Sequence, residues 1–278
     1  MKVKAVSVRT RYWRPGTDYS SETARRLRGL VEDGDIVMVS EKALSTASGS
    51  LVDEAAVKPR RVARLLAGSW TRRLWGGPLG TVTGLKRQTL INLRNYPEEG
   101  AAHKQVALWA VGLLQSMRHY SEGGIDASNL PYSYVSLPLG DATEVASRIR
   151  KTIHGRTGRQ VTVMIVDGDT TFSWRNLHIA PRRVEFPGLI HMGGFLAFIV
   201  GRMLRLQARQ TPIAASGDDL NPDRALWLAR LHHRLCGGGA GRTVWSMSRE
   251  MGTPLTGVTW GMLDSVRHYP VTVVRFIS

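Results

Sequence analysis

The chain has a single cysteine among its 278 residues, Cys236, so no disulfide can form within it. A chain without disulfides fits a reducing compartment. Long apolar runs are also lacking, since the longest, Phe195 to Val200, is far too short to cross a bilayer. The amino-terminal stretch MKVKAVSVRTRYW lacks the apolar core of a secretory signal. We therefore expect a cytoplasmic protein with no membrane partner.

Acidic residues are scarce beside basic ones, with 22 Asp and Glu against 38 Lys and Arg, a net charge of +16 and a pI near 10.8. This balance favours anionic partners such as nucleotide phosphates, nucleic acid or an acidic small molecule. The excess lies in scattered pairs such as Arg25-Arg26 and Arg72-Arg73, without a recognised nucleic-acid motif. The sequence therefore gives little support for a nucleic-acid partner, although a basic nucleic-acid-associated protein remains an alternative.

The predicted strands and helices alternate along the sequence, as in α/β proteins. The apolar content of 42% is enough for one large core or two small ones. The pattern predicts strands at residues 2–8, 36–39, 161–166, 211–215 and 271–276. It predicts helices from Ser20 or Ser21 to about residue 33, and over 59–66, 104–117, 141–154, 191–206 and 221–236, with Asp141 and Asn221 as caps. Residues 72–84 are predicted to be irregular, the charged stretch 85–100 is predicted to end in a surface loop at 96–100, and 172–188 stay unassigned.

Polar residues follow the two most apolar predicted strands. Ser40, Glu41 and Lys42 come after the strand at 36–39, so residues 40–50 form a candidate site. Asp167-Gly168-Asp169-Thr170 follows the strand at 161–166 and is predicted to be an acidic turn. Lys42 could meet a phosphate as a point charge or be an ordinary solvated lysine.

The densest group of special residues is SEGGIDASNLPYSY, residues 121–134. Two glycines allow close approach of a ligand, and Asp126, Ser128 and Asn129 supply oxygen-bearing side chains of the kind that Mg²⁺ and phosphates use. The same residue types also make plain surface turns. Asp126 and Asp169, brought together, could hold one or two divalent ions with Thr170 and Asn129 as further donors, although an Asp at a strand end is often only a turn former.

A second glycine-rich loop, GGGAGRT at 237–243, could cradle phosphate with its N–H groups, with charge from Arg242. It lacks the Lys-Ser or Lys-Thr of a Walker A motif, and a plain helix-ending loop is an equal alternative. Cys236 has no identifiable activating base and is predicted to be inert.

Three segments, in this order and spacing, resemble the coenzyme F420-0:γ-glutamyl ligase family. They are DGDIVMVSEKALSTASG at 33–49, SEGGIDASNLP at 121–131 and VTVMIVDGDT at 161–170. The family typically reads close to GDVVVVTQKVVSKAEG, GIDASN and VxVIITDT. The GIDASN match is complete, and the resemblance covers roughly residues 1–175.

The resemblance implies an α+β fold with mixed β-sheets and packed helices. It implies a homodimer that uses GTP and Mg²⁺ or Mn²⁺ to join L-glutamate to F420-0, an anionic acceptor, through an acyl phosphate. By position it implies Asp126, Asp169 and Thr170 as metal ligands. It places the nucleotide on residues 10–13 and on the following set: Ser40, Glu41, Lys42, Asn129, Gly237, Gly239, Gly241 and Arg242.

This sequence departs from the family pattern at three positions. Thr46 stands where the family has a second lysine, Ser48 where it has Glu, and Gly238 where its late loop carries a metal-binding acid. We therefore expect a divergent ligase-like unit over 1–278, with a nucleotide and metal core at about 1–175 and a second subdomain at about 176–278 as one way to divide it. A nucleotide- and metal-binding protein with reduced catalysis is the alternative on the same fold.

Overall fold

The computed structural model describes residues 2–120 and 122–277, so Ser121, which opens the predicted site loop, lies outside the described residues. The strands are β1 Lys2–Thr10, β2 Ile36–Ser40, β3 Leu51–Asp53, β4 Tyr134–Ser136, β5 Thr162–Trp174, β6 Leu177–Ala180, β7 Ile190–His191, β8 Gln207–Ser216 and β9 His268–Ile277. The α-helices are α1 Tyr19–Leu27, α2 Glu41–Ala47, α3 Arg61–Leu65, α4 Pro78–Val82, α5 Arg87–Arg94, α6 Gly100–Ala110, α7 Leu113–Ser116, α8 Ala142–Thr157, α9 Gly194–Met203, α10 Pro222–Cys236, α11 Val244–Met251 and α12 Trp260–Asp264. A 3-10 turn covers Glu54–Ala56 and a π-helix covers Leu66–Trp75.

The main sheet is mixed, with strand order β1-β9-β2-β5-β6-β7 and β8 paired to β5. β2 and β5 run parallel, with Ser40 opposite Val166, whereas β1–β9, β2–β9 and β5–β8 are antiparallel. The predicted α+β fold with mixed sheets is confirmed. Because β2 and β5 are parallel and Ser40 lies opposite Val166, the residues that follow β2 come next to Asp167 to Asp169, within β5.

Side chains of β2 and β5 alternate between two helix layers, as period-two strands require. Val37, Val39, Val163 and Ile165 pack against α1 and α8, where Ile149 and other residues of α8 are fully buried. Ile36, Met38, Met164 and Val166 face the other way, onto Ala225, Leu228 and Ala229 of α10. This double cover explains why both strands are continuous apolar runs in the sequence.

Three segments that were predicted to be a loop, a turn or irregular are helix or strand in the structure. Residues 41–47 form α2 where a polar loop was expected, and residues 167–170 lie inside β5, where the pairing with β8 shifts register between Asp167 and Thr170. That irregularity adds residues to β5 without ending it, so the acidic segment lies on the strand itself. The 72–84 segment is helical in large part. The charged stretch at 85–100 contains α5, and the loop predicted at its end lies between α5 and α6.

One helix cap and one helix length differ from the predictions. Asp18, rather than Ser20 or Ser21, caps α1 by accepting from the N–H of Ser21. The predicted helix at 104–117 is divided into α6 and α7, because Gly112 has a φ of +86° that a helix cannot hold. Asn221 caps α10, as predicted.

Among the described residues, no helix combines the length and the apolar character that crossing a bilayer requires. The division near residue 175 stays a prediction, although β8 and β9, from the second segment, belong to the same sheet as β1, β2 and β5.

Candidate functional site

A cavity of about 1020 Å³ opens where the carboxyl end of β2 and the middle of β5 meet the glycine-rich loops. Its lining includes Ser40 and Lys42 after β2, Asp167 to Asp169 in β5, and the 237–239 backbone after α10. A concave site at this edge of a parallel strand pair is where α/β folds commonly bind ligands.

Lys42 connects the residues that follow β2 with the loop that carries Asp126 and Ser128. Its Nζ lies 2.5 Å from Asp126 Oδ2 and donates to Ser128 Oγ at 2.8 Å. Asp126 Oδ1 accepts from the N–H of Ser128 at 2.7 Å, which fixes the loop as a tight acidic turn. The Lys42 side chain remains 27% exposed, so its ammonium can still reach an anion that enters the cavity.

Arg182 carries the second positive charge at this edge. Its guanidinium donates to Glu41 and lies 3.5 Å, through Nε, from Asp167 Oδ2. Glu41 is itself buried and accepts from the N–H of Leu139. These carboxylates raise the pKa of Arg182 although its burial alone would lower it, so the guanidinium is a permanent cation.

Asp167 and Asp169 form the acidic side of the site, on either side of Gly168. Burial, and then the nearby charge of Asp169, raise the pKa of Asp167 well above its usual range, against the opposing effect of Arg182. Asp167 Oδ2 is buried and has no hydrogen-bond partner among the described residues. Two neighbouring carboxylates, Asp169 buried and Asp167 half-buried, suit a divalent cation, which would offset their mutual repulsion.

The acids are not assembled into a complete cation cage. Within residues 2–120 and 122–277, no three His, Cys, Asp or Glu side chains are grouped so that they could hold a metal ion together. Asp126, which would be the third carboxylate, is instead paired with Lys42. Asp167 and Asp169 are therefore two carboxylates that a cation could share, while Asp126 is paired with Lys42, and a cation at this place stays a prediction.

Asn129 organises the second glycine loop. Its amide nitrogen donates to the carbonyl of Gly241 at 2.8 Å, and its oxygen accepts from the N–H of Ala240 at 2.6 Å. A Cβ on Gly239 would lie 2.4 Å from that oxygen, so glycine is required there for close approach. Asn129 also holds a φ of +57°, and its carbonyl accepts from the Tyr12 hydroxyl. Its position thus shapes the 237–243 backbone that faces the cavity.

A buried charge network, which sequence reasoning did not find, closes the far end of the cavity. Lys104 Nζ is fully buried and donates to Glu122 and to the carbonyls of Ser116 and Arg118. His103 lies between Glu54 Oε1, at 2.7 Å, and Glu122 Oε2, at 3.4 Å. Burial would lower the pKa of His103, but Glu54 and Glu122 raise it to about 10, so the ring is a cation at neutral pH.

Cys236 lies on the cavity wall with its sulfur 3.3 Å from His232 Nε2. Burial raises the pKa of Cys236 to about 12, and burial with the neighbouring His233 lowers the pKa of His232 to about 3. A neutral imidazole beside a protonated thiol does not make a nucleophile at neutral pH. The pair agrees with the prediction of an inert cysteine.

The structure brings most of the predicted site residues together. The following line the cavity: Ser40, Lys42, Asp126, Asn129, Asp169, Gly237, Gly239 and Arg242. Glu41, Thr170 and Gly241 do not: Glu41 binds Arg182, Thr170 pairs with Gln210 in the sheet, and Gly241 packs against Met247. Ligand contacts of all these residues stay predictions.

Two charged residues of this edge were missed by the sequence analysis. Asp167 was treated as part of a turn. It directly follows the apolar strand predicted at 161–166, and that position could have indicated a functional acid. Arg182 gave no signal, because its partner Glu41 is 141 residues away along the chain.

A sequence model of the F420-0:gamma-glutamyl ligase family matches residues 7–181, which include Lys42, Asp126, Asp167 and Asp169. The chain belongs to this family. Membership indicates a gamma-glutamyl ligase of F420 biosynthesis. The chain is also 30% identical to an uncharacterized protein of Methanocaldococcus jannaschii, MJ1361, over 98% of this chain and 96% of that protein. The family match ends before the 237–243 loop, so the assignment of that loop to the site rests on geometry alone.

Proposed function

We propose that this family member uses a nucleoside triphosphate, GTP by resemblance, and Mg²⁺ or Mn²⁺ to join L-glutamate to a carboxylate acceptor such as F420-0. The observation that carries the proposal is the meeting of two cations, two carboxylates and a glycine-rich backbone on one cavity. Lys42 and Arg242 line it as the cations and Asp167 and Asp169 as the carboxylates, and the backbone is that of Gly237 to Gly239. This set is suited to a polyphosphate, which needs positive charge and N–H donors together.

The reaction would run in two displacement steps. An oxygen of the acceptor carboxylate attacks the γ-phosphorus, and the bond to the β-phosphate oxygen breaks, so the nucleoside diphosphate leaves. The glutamate amine then attacks the acyl carbon, inorganic phosphate leaves, and the nitrogen loses a proton to give the amide. Catalysis in such transfers consists mainly of positioning and of neutralising the phosphate charge.

Lys42, Asp167 and Asp169 on the cavity, and Arg182 next to Asp167, have separate roles in this scheme. Lys42 lies where it can move from Asp126 to a phosphate oxygen, since it is partly exposed and flexible. Arg182 is held by Glu41 and keeps Asp167 in place. Asp167 and Asp169 would hold the divalent cation, which supplies further charge neutralisation at the phosphates. Thr46, where the family has lysine, donates to the Lys42 carbonyl and leaves Lys42 as the one lysine of that helix.

The acidic far end of the cavity fits the amine partner. Glu54, Glu98, Glu99 and Glu122 line it together with Tyr96 and Tyr120. The cations of this end, His103 and Lys104, are already engaged by Glu54 and Glu122. We therefore propose that the ammonium group of glutamate enters from this side. A cytoplasmic homodimer remains part of the proposal, by resemblance.

Calorimetric titration with GTP and with ATP, each with Mn²⁺, tests the nucleotide site first. Lys42→Met should weaken the Kd by about tenfold or more, which is roughly 1.4 kcal/mol. Lys151→Met removes an exposed lysine of α8 and should leave the Kd unchanged. Absence of binding by both nucleotides would contradict the proposal.

A ligation assay then distinguishes an active ligase from a binding protein on the same fold. Purified protein, GTP, Mn²⁺, glutamate and F420-0 should give a product heavier by one glutamyl residue in mass spectrometry. Nucleotide binding without any ligated product, over a range of carboxylate acceptors, would identify the protein as the catalytically reduced binding form.

A further inference from the structure

The turn between α4 and α5 and the carboxyl end of α9 form one exposed corner of the molecule. Arg202 joins them, since its Nε donates to the carbonyl of Thr83 at 2.9 Å and its Nη2 to that of Gly84 at 2.7 Å. We call this corner the basic-aliphatic tip; it comprises Val82, Lys86, Arg87, Arg202, Met203, Leu204 and Arg205. None of these residues lines the cavity described above.

The apolar side chains of the tip are unusually exposed. Val82 is 71% exposed, Leu204 67% and Met203 63%, which are the highest values for large apolar side chains among the described residues. Single exposed apolar residues are common, but three gathered at one corner indicate a contact surface.

The rim of the tip is purely basic. Lys86, Arg87, Arg202 and Arg205 are exposed, and none of the four forms an ion pair within the described residues. The sequence contains no Asp or Glu from residue 55 to 97, nor from 186 to 217, so both segments that build the tip lack acids of their own. The charge of the tip is therefore left for an external anion.

We propose that the basic-aliphatic tip docks the protein on an anionic lipid bilayer surface. Aliphatic side chains ringed by Lys and Arg match the two layers of such a surface, with acyl chains below and phosphate headgroups above. Single-stranded nucleic acid would favour aromatic side chains on which bases stack, and the tip has none. This proposal differs from the sequence-based expectation of no membrane partner, and the peripheral contact it describes needs no spanning helix.

Vesicle co-sedimentation tests this docking with the full chain. Vesicles of phosphatidylcholine alone should bind weakly, and vesicles containing phosphatidylglycerol should bind well, with binding lost at high salt. The triple variant V82S, M203S and L204S should lower the partition coefficient by about tenfold or more. The variant K86E and R87E should remove the preference for phosphatidylglycerol.

The matched control is V62S with L65S, which removes two exposed aliphatic side chains of α3 that lie beside Arg61 and Arg64. It should bind phosphatidylglycerol vesicles like the unchanged protein. Equal loss in control and tip variants would overturn the proposal, as would absence of binding to phosphatidylglycerol vesicles. Binding to an oligouridine probe that the tip variants reduce, without any vesicle binding, would assign the surface to RNA and overturn it too. Circular dichroism melts of all variants verify that each is folded.

Discussion

Gly124 is the residue whose size most directly controls the charge cluster at the β2 and β5 edge. Its φ is +92°, and a Cβ there would lie 2.7 Å from Arg182 Nη1. Gly124→Ala must therefore push the guanidinium away from Glu41 and also strain the backbone. We expect a loss of about 2–4 kcal/mol in the free energy of unfolding, measured by urea titration.

A variant at a second glycine distinguishes the backbone strain from the displacement of the Arg182 guanidinium. Gly49 also has a positive φ, +73°, but no atom lies within 4 Å of the position that a Cβ would take there. Gly49→Ala should thus cost only the backbone strain, about 1–2 kcal/mol. Equal losses in the two variants would show that the approach of Arg182 contributes nothing to stability.

His103 gives the stability of the protein a pH dependence on the alkaline side. The ordinary pKa of 6.5 is raised to about 10 in the folded protein by Glu54 and Glu122, against the effect of burial. The ring is charged in both states below 6.5, so its stabilisation is complete there, and it is lost as the pH rises through about 10.

His103→Gln removes that charge but keeps a hydrogen-bonding side chain. We expect it to be less stable than the unchanged protein by roughly 1–3 kcal/mol at pH 6, the scale of a charged hydrogen bond. The difference should shrink as the pH approaches about 10. His154→Gln, at an exposed position, is the control. A difference that stays constant from pH 6 to pH 10 would contradict the charged state of His103.

At the scale of elements, the amino terminus of α8 is capped by Glu185, which lies far away along the chain. Glu185 accepts from the N–H of Ala142 at 3.1 Å and from that of Thr143 at 2.8 Å, whereas the predicted cap Asp141 makes no side-chain cap bond. Burial would raise the pKa of Glu185, but its bonds to Thr143 and Ala142 lower it below 4.5. Its stabilisation is therefore present above that value and lost as the pH falls through the folded pKa.

Glu185→Gln should lower the free energy of unfolding by about 0.5–1 kcal/mol at pH 7, since it removes a negative charge from a helix amino terminus. The difference should vanish in acid. Asp141→Asn is the matched control, and we expect a smaller loss from it. A larger loss from Asp141→Asn would restore the sequence-based assignment of the cap.

Elements with a strong local pattern could be predicted, and those formed by distant contacts could not. The helix α8 was found because Val145, Ile149 and Ile153 repeat on one face, and β5 because its apolar run is unbroken. The helices α4 and α5 were missed because their stability depends on packing against the π-helix at 66–75 more than on composition. A Cβ on Gly80 of α4, for instance, would lie 2.1 Å from the carbonyl oxygen of Trp75 in that π-helix.

The candidate site was predictable only in its local parts. The GIDASN loop and the residues after β2 and β5 lie in short segments, and the structure gathers them at one edge because β2 and β5 are parallel. The Arg182–Glu41 pair and the His103–Glu122 network depend on tertiary approach, which no spacing in the sequence reveals.

At the scale of the whole molecule, cation binding should be visible as thermal stability. A ligand that binds only the folded state stabilises it by mass action, by about 2.7 kcal/mol at a hundredfold excess over its Kd. We expect Mn²⁺ to raise the Tm of chelator-treated protein, and excess EDTA to reverse the shift. Because Asp167 and Asp169 would share the cation, Asp167→Asn should remove the Mn²⁺ response.

The same experiment distinguishes a specific site from general binding to acids. Asp33→Asn changes an exposed acid that pairs with Arg159, and its Mn²⁺ response should match that of the unchanged protein. Asp169→Asn should behave as Asp167→Asn does, while Asp126→Asn should keep part of the response, since Asp126 is paired with Lys42. A full response in both Asp167→Asn and Asp169→Asn would place the cation elsewhere and leave Lys42 and Arg242 as the phosphate-binding charges of the cavity.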